Sequence, residues 1–194
     1  MAELTALYWD KRYQNNDFGW DTGSITTPLR EYIEQLSDKN LKILIPGAGN
    51  AYEAEFLFNH GFYNIFVLDF ATIPLQNLKA RFPLFPESHL IQQDFFEHHQ
   101  QYDLIIEQTF FCALHPSLRP AYAKHMHQLL KPKGKLVGVL FDDELNIDQP
   151  PFEGSMEEYE ELFKPYFKFR TFESCRNSIK PRAGRELFMI LEKK

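Results

Sequence analysis

The chain has 194 residues, 44% hydrophobic and 15% aromatic, and carries a formal net charge of −6 at pH 7. That length suits one domain around one core, and the apolar content excludes a disordered chain. The acidic balance leaves no basic field to hold a phosphate backbone, so nucleic acid is excluded as a partner.

Two cysteines, Cys112 and Cys175, are too few for a disulfide framework. The N-terminus lacks a basic segment followed by an apolar stretch, and no run approaches the ~18 residues that span a bilayer. The expectation is a cytoplasmic protein that does not enter membranes.

The first clear strand covers residues 41–45 and ends at Pro46-Gly47-Ala48-Gly49, after which a helical pattern runs over 51–60 to Gly61. A strand at 65–69, a helix at 73–81 and strands at 89–93 and 102–107 follow. Ser117 is read as the N-cap of a helix through 130, Lys131-Pro-Lys-Gly134 as its stop, and 135–141 as a buried strand. Ser155 with Glu158 forms a capping box for a helix to 163, and strands at 166–172 and 186–191 end the chain as an antiparallel pair. Alternating strands and helices with short connections require right-handed crossovers, which makes the fold a Rossmann-like, doubly wound α/β sheet of seven strands, mostly parallel. Residues 1–194 form a single domain, with 1–27 an N-terminal helix and a covering lid.

Ligands of such sheets bind at the strands' carboxyl ends. Gly47 and Gly49 lie between the first strand and its helix, where a missing side chain lets a ligand approach the backbone. Asp69 ends the second strand about 20 residues further on, the place of a carboxylate that takes both ribose hydroxyls; its alternative role is to cap the next helix. Asp94 ends the third strand, near where an adenine amino group would lie, and is otherwise a turn residue. The dinucleotide fingerprint needs a small residue three positions beyond the second glycine, and here Tyr52 stands there. That favours a ligand without a pyrophosphate, such as S-adenosylmethionine. Trp9, Tyr13 and Trp20 fit a sulfonium cation, which aromatic faces attract by about 0.5–2 kcal/mol; their alternative is packing of the first helix.

The motifs Trp20-Asp-Thr-Gly23 with Pro28, Pro46-Gly-Ala-Gly49, Asp103-Leu-Ile, Phe110-Phe-Cys-Ala113, Arg119-Pro-Ala-Tyr-Ala-Lys124, Leu129-Leu-Lys-Pro-Lys-Gly134 and Pro150-Pro-Phe152 carry a resemblance. From Trp9 to about Glu186 the chain resembles the thiopurine and thiol/halide methyltransferases, which have the class I methyltransferase fold. The resemblance implies S-adenosylmethionine as cofactor, S-adenosylhomocysteine as product and a small molecule as methyl acceptor. It implies that Trp9, Tyr13 and Trp20 cover the cofactor, Gly47 and Gly49 line its methionine end, Asp69 holds the ribose, and Asp94 with Phe95 holds the adenine. Gln108 would sit near the transferring methyl. Tyr13 stands where halide-methylating relatives carry a Trp, and Gln108 and Phe141 stand where they carry Tyr. These departures point to a small thiol, with Phe110, Phe111 and Phe141 as apolar wall, over a bare halide. Oxygen, nitrogen and metalloid acceptors, and a catalytically silent cofactor-binding protein, are the alternatives.

Other residues weigh less. Cys112 lacks an adjacent base and reads as a packed thiol. His98, His99, His125 and His127 lack a third and fourth metal ligand and read as solvated. A neutral thiol acceptor must lose a proton, and Asp21, Glu107 and His115 are the nearest groups to assist. His115 and Arg119 otherwise serve capping and surface pairing. Arg182 and Arg185 fall in the last turn, where the resemblance places substrate contacts.

Overall fold

The computed structural model describes residues 4–194, so the first three residues of the expected N-terminal segment lie outside the described residues. Seven strands form one sheet in the order β3-β2-β1-β4-β5-β7-β6: β1 (Ile43–Pro46), β2 (Ile65–Asp69), β3 (Leu90–Gln92), β4 (Tyr102–Gln108), β5 (Leu130–Phe141), β6 (Phe167–Ser174) and β7 (Glu186–Lys193). The first five are parallel, and β7 runs antiparallel between β5 and β6. Six α-helices accompany them: α1 (Ala6–Gln14), α2 (Thr27–Glu34), α3 (Tyr52–Asn59), α4 (Thr72–Arg81), α5 (Arg119–Leu129) and α6 (Met156–Phe163).

Strand period two divides the apolar residues between two faces. Ile43, Ile45, Ile65, Val67, Leu104 and Ile106 pack with Leu29 and Ile33 of α2, Leu57 of α3 and Leu75 of α4. Leu44, Leu68, Ile105, Leu136 and Leu140 pack on the other face with Tyr122 and Met126 of α5 and Tyr159 and Phe163 of α6. Chain order reverses direction between β1 and β4, which opens a crevice at the carboxyl ends of these two strands.

Several local expectations are corrected. Helix α2 escapes the sequence reading, although Pro28 in its first turn and buried Leu29 and Ile33 one turn apart mark it. Ser117 does not cap α5; residues 116–118 form a 3-10 turn in which the His115 ring accepts from the Ser117 N–H at 3.3 Å, and α5 starts at Arg119. The segment 131–134 does not separate α5 from its strand. Pairing with β4 jumps from Tyr102↔Leu130 to Leu104↔Lys135, so these residues bulge from β5, with Lys133 at φ 64°.

Ser155 does cap α6, its Oγ accepting from Glu158 N at 3.3 Å. The Glu158 carboxylate serves Arg119 instead of the cap, at 2.7 and 3.0 Å. His98 and His125 are not solvated: they are 3% and 6% exposed. His98 Nε2 lies 2.7 Å from the Tyr102 hydroxyl, and His125 Nε2 donates to the Phe95 carbonyl at 2.8 Å. Burial holds both imidazoles below their ordinary pKa.

Candidate active site

A cavity of about 1240 Å³ opens at the carboxyl ends of the strands, larger than the roughly 300–1,000 Å³ of common small-molecule sites. The sheet order lays its wall out in sequence. Asp94, Phe95 and Phe96 follow β3, Asp69 ends β2, Gly47 and Gly49 follow β1, Gln108 ends β4, Phe141 ends β5 and Arg182 precedes β7.

The turn after β1 takes its shape from three left-handed residues, Gly47 at φ 55°, Gly49 at φ 51° and Ala51 at φ 50°. Glycine is also required for space: a Cβ on Gly47 would lie 2.0 Å from the Phe110 ring, and one on Gly49 would lie 2.9 Å from the Tyr13 hydroxyl. Asp69 closes the turn from below, Oδ2 accepting from Gly49 N at 3.3 Å and Oδ1 from Ala71 N at 2.9 Å. One oxygen of Asp69 thus holds the start of the α4 segment and the other the glycine turn. Burial pushes its carboxyl up to about 6. Asp94 spends one oxygen on Phe96 N at 2.7 Å, fixing the 3-10 turn Phe95–Glu97 at the cavity rim.

The N-terminal segment lies over this floor. Asp10 of α1 accepts from Ile73 N at 2.8 Å and so caps α4, whose own N-cap position, Ala71, has no side-chain acceptor. Trp9 and Tyr13 both meet Trp20 edge-on, at centroid separations of 5.5 and 5.8 Å. The Arg12 guanidinium covers Trp20 at 4.5 Å. Residues 15–26 form a strap tied to the body at distant points. Asp21 accepts from the Asn50 amide and, at 3.1 Å, from the Tyr52 hydroxyl. Thr26 Oγ1 donates to Gln108 Oε1 at 2.9 Å. Tyr52, which breaks the dinucleotide pattern, thus anchors the strap, with Arg81 stacked on its ring at 4.5 Å.

At the end of β4, Gln108 lines the cavity, and its Nε2 is buried without a partner among the described residues. Glu107 points away from the cavity into the core. It accepts from Phe110 N at 2.8 Å, Phe111 N at 3.0 Å and the Tyr122 hydroxyl at 2.5 Å, so it holds the loop after β4 in shape. Burial pushes its carboxyl up to about 7. Phe110 rests on Gly47 and meets Phe95 edge-on at 5.1 Å, whereas Phe141 lies under the Arg182 guanidinium at 5.4 Å, so the two rings serve different stretches of wall. Phe111 lies in the core against Tyr122 and Tyr159. Cys112 is buried at the cavity wall, its thiol pushed up to about 12 by burial, which suits a packed thiol and not a nucleophile. His115 reaches the rim but is engaged with Ser117, its Nδ1 lying 2.8 Å from Oγ.

Arg182 is 7% exposed and bonds to the Trp20 carbonyl at 2.6 Å and to Glu186 at 3.3 Å. Arg185 also lines the cavity and pairs with Asp143. One lining residue escapes the sequence reading. Glu53, the second residue of α3, is 5% exposed. An acidic residue in a first helical turn ordinarily complements the helix dipole, which hides any other use.

These groups fit S-adenosylmethionine. The Asp69 carboxylate, the glycine turn and the clustered rings of Trp9, Tyr13 and Trp20 line the same cavity, the residue types that an adenosine ribose and a sulfonium call for. The cavity is large enough to hold an acceptor beside the cofactor. The family model described as thiopurine S-methyltransferase matches residues 4–192. The chain belongs to the thiopurine S-methyltransferase family.

Its relatives agree. A probable thiol methyltransferase 2 of Arabidopsis thaliana is 30% identical over 96% of this chain and 84% of its own length. Thiocyanate methyltransferase 1 of Brassica oleracea is 27% identical over 92% and 81%. Thiopurine S-methyltransferase of Vibrio cholerae is 26% identical over 80% and 79%. Among solved structures, the 1,6-didemethyltoxoflavin-N1-methyltransferase of Burkholderia thailandensis, with its bound substrate and S-adenosylhomocysteine, superposes with a TM-score of 0.76 at 17% identity, covering 97% of this chain and 87% of that one. TehB of Haemophilus influenzae superposes with a TM-score of 0.69 at 18% identity, covering 95% and 67%. This thiopurine S-methyltransferase family member is thus an S-adenosylmethionine-dependent methyltransferase with the class I fold.

Proposed function

We propose that the enzyme methylates the sulfur of a small thiol. The observation that carries this reading is the apolar wall at the β4 and β5 end of the cavity, where the partly exposed rings of Phe110 and Phe141 line it, Phe141 beneath buried Arg182. An organic thiol gains from burial on such a wall at about 25 cal/mol per Å², which a bare halide cannot do. Thiol, thiocyanate and thiopurine methyltransferases among the relatives support a sulfur acceptor.

Bound S-adenosylmethionine supplies an electrophilic methyl group. The chain supplies position and a dry site. In this reading Asp69 takes the ribose hydroxyls, the 94–95 segment takes the adenine, and Gly47 and Gly49 admit the methionine end. Trp9, Tyr13 and Trp20 face the sulfonium, and the strap over residues 15–26 acts as the lid. The free Gln108 amide N–H lies between the two halves of the cavity and can donate to an acceptor sulfur as negative charge gathers there. Asp21 has its oxygens on Asn50, Tyr52 and Gly23 N, a set of bonds that suits holding the strap. Two free cysteines accord with a reducing cytoplasm.

The test is methyl transfer to a panel of alkyl thiol, aryl thiol, thiocyanate, iodide and phenol at saturating S-adenosylmethionine, with S-adenosylhomocysteine release as the readout. Thiols should lead. Turnover of phenol or iodide above every thiol would refute the acceptor assignment and leave the methyltransferase intact.

A further inference from the structure

Thr26 stands at the N-cap of α2 and is 2% exposed, yet its side chain makes no cap bond. Pro28 at the second helical position has no N–H, which removes one of the two groups that an N-cap hydroxyl ordinarily accepts from. The hydroxyl donates instead to Gln108 Oε1 at 2.9 Å, across 82 residues of chain, and so joins the end of the strap to the end of β4. The other end of that amide, Nε2, is buried without a partner among the described residues, and Gln108 lines the cavity. A carboxamide can turn over, so the group that holds one end decides which end is left free. In the observed direction only the NH2 is left over. Turned over, Nε2 would donate to Thr26 Oγ1, and the hydroxyl hydrogen and Oε1 would both lose the partner they now share. Two unmet buried groups cost more than one, so Thr26 keeps the donor end free.

We propose that Thr26 is a positioning residue for methyl transfer, its hydroxyl keeping the Gln108 amide turned so that an N–H, and not the carbonyl, meets the acceptor sulfur. The assignment rests on the thiol reading and the Gln108 donor given above. A hydrogen bond to the ionised form of a group favours that form, so a bound thiol releases its proton to solvent more readily beside this N–H. The electron pair left on sulfur forms the bond to the methyl carbon as the bond from that carbon to the sulfonium breaks, its pair returning to the cofactor's sulfur. Oε1 facing the acceptor would do the reverse, accepting from the S–H and holding the thiol neutral.

Action through Gln108 separates this role from that of a threonine which merely packs. Thr26→Val keeps the side-chain shape and removes the hydroxyl donor, which frees the amide to turn over, and Gln108→Leu removes the amide. Neither substitution changes a charge, so Asp21, Glu53, Asp69 and Arg182 around the cavity act alike in every variant. Once the amide is gone, loss of the hydroxyl has nothing left to alter, the non-additivity expected of two groups in one contact.

The experiment measures the pKa of a bound chromophoric aryl thiol, whose thiolate absorbs apart from the thiol, in the non-reacting complex with S-adenosylhomocysteine. Absorbance titrations are run on the full-length enzyme, Thr26→Val, Thr26→Ser, Gln108→Leu and the double variant, with S-adenosylhomocysteine affinity by calorimetry as a check on the fold. Thr26→Val should raise the bound pKa by about one pH unit and Gln108→Leu by at least as much, whereas Thr26→Ser should leave it near the unmodified value. The double variant should match Gln108→Leu. With an alkyl thiol as acceptor, the kcat inflection should move up in Thr26→Val by the same amount. A bound pKa that Gln108→Leu shifts and Thr26→Val does not, or a double variant that shows the two shifts added, overturns the role of Thr26. No shift in Gln108→Leu removes the donor and this assignment with it. An enzyme that neither binds nor methylates a thiol refutes the thiol reading itself, a separate outcome.

Discussion

Arg182 donates from Nη2 to the main-chain carbonyl of Trp20 at 2.6 Å, joining the turn before β7 to the strap that covers the cavity. The same guanidinium lies 3.3 Å from Glu186, and both side chains are buried. Arg182→Ala removes the latch and leaves a buried carboxylate unpaired. The expected loss is about 3 kcal/mol in urea unfolding, the scale for breaking a buried pair from one side. Amide exchange over residues 15–26 should rise at the same time. A loss of stability with unchanged exchange in the strap would show that Arg182 serves Glu186 and does not hold the strap.

Strap exchange also reports cofactor binding. If the strap is the lid, S-adenosylhomocysteine should slow exchange over residues 15–26, because Trp20 gains a ligand to pack on and the four ties through Asp21, Thr26, Arg182 and Arg12 become harder to break. Equal protection with and without ligand would mean a static cover.

Asp69 gives a pH dependence with a defined sign. Its folded pKa, about 6, lies above the ordinary value near 3.9, so the stability linked to its proton is fully present below pH 4 and lost as pH rises through 6. Glu53 and Glu107 act in the same direction up to about 7. The free protein should therefore melt at progressively lower temperature between pH 5 and 7.5. Ligand affinity runs the other way, since the ionised carboxylate makes the stronger bonds to ribose hydroxyls. Calorimetric titration with S-adenosylhomocysteine should show affinity rising from pH 5 to 7, by at most about tenfold per unit below 6. Affinity that is flat over this range would remove Asp69 from the ribose contact.

Tyr122 reaches across the core from α5 to Glu107 at 2.5 Å. Tyr122→Phe keeps the ring packing and removes the hydroxyl donor from a buried carboxyl. The cost should be about 1–3 kcal/mol in the urea midpoint, with the circular dichroism spectrum unchanged. A cost near zero would mean that the two N–H groups of the loop after β4 satisfy Glu107 without help.

Much of this architecture is visible in the chain itself. The strands buried on both faces read as continuous apolar runs, and the glycine turn, Asp69 and Asp94 fall at strand ends whose positions follow from the alternation. What escapes depends on partners far away in sequence. His98 and His125 look like surface residues until Tyr102 and the Phe95 carbonyl are brought to them by the fold. Helix α2 has neither the capping box that marks α6 nor the glycine turn that precedes α3, and its Thr26 N-cap makes no side-chain cap bond. Asp21 resembles a free carboxylate in the sequence, but the turn after β1 and the start of α3 bring Asn50 and Tyr52 to it. Glu53 has the appearance of an ordinary first-turn acid, and only the fold shows it buried at the cavity wall.

The central claim is methyl transfer to sulfur, and competition between two acceptors in one vessel tests it most directly. Equal concentrations of an aryl thiol and iodide, with isotope-labelled S-adenosylmethionine below saturation, divide the labelled methyl between a thioether and methyl iodide in the ratio of their kcat/KM values. The walls formed by Phe110 and Phe141 predict a large excess of label in the thioether, matched mole for mole by S-adenosylhomocysteine. A majority of label in methyl iodide would contradict the account.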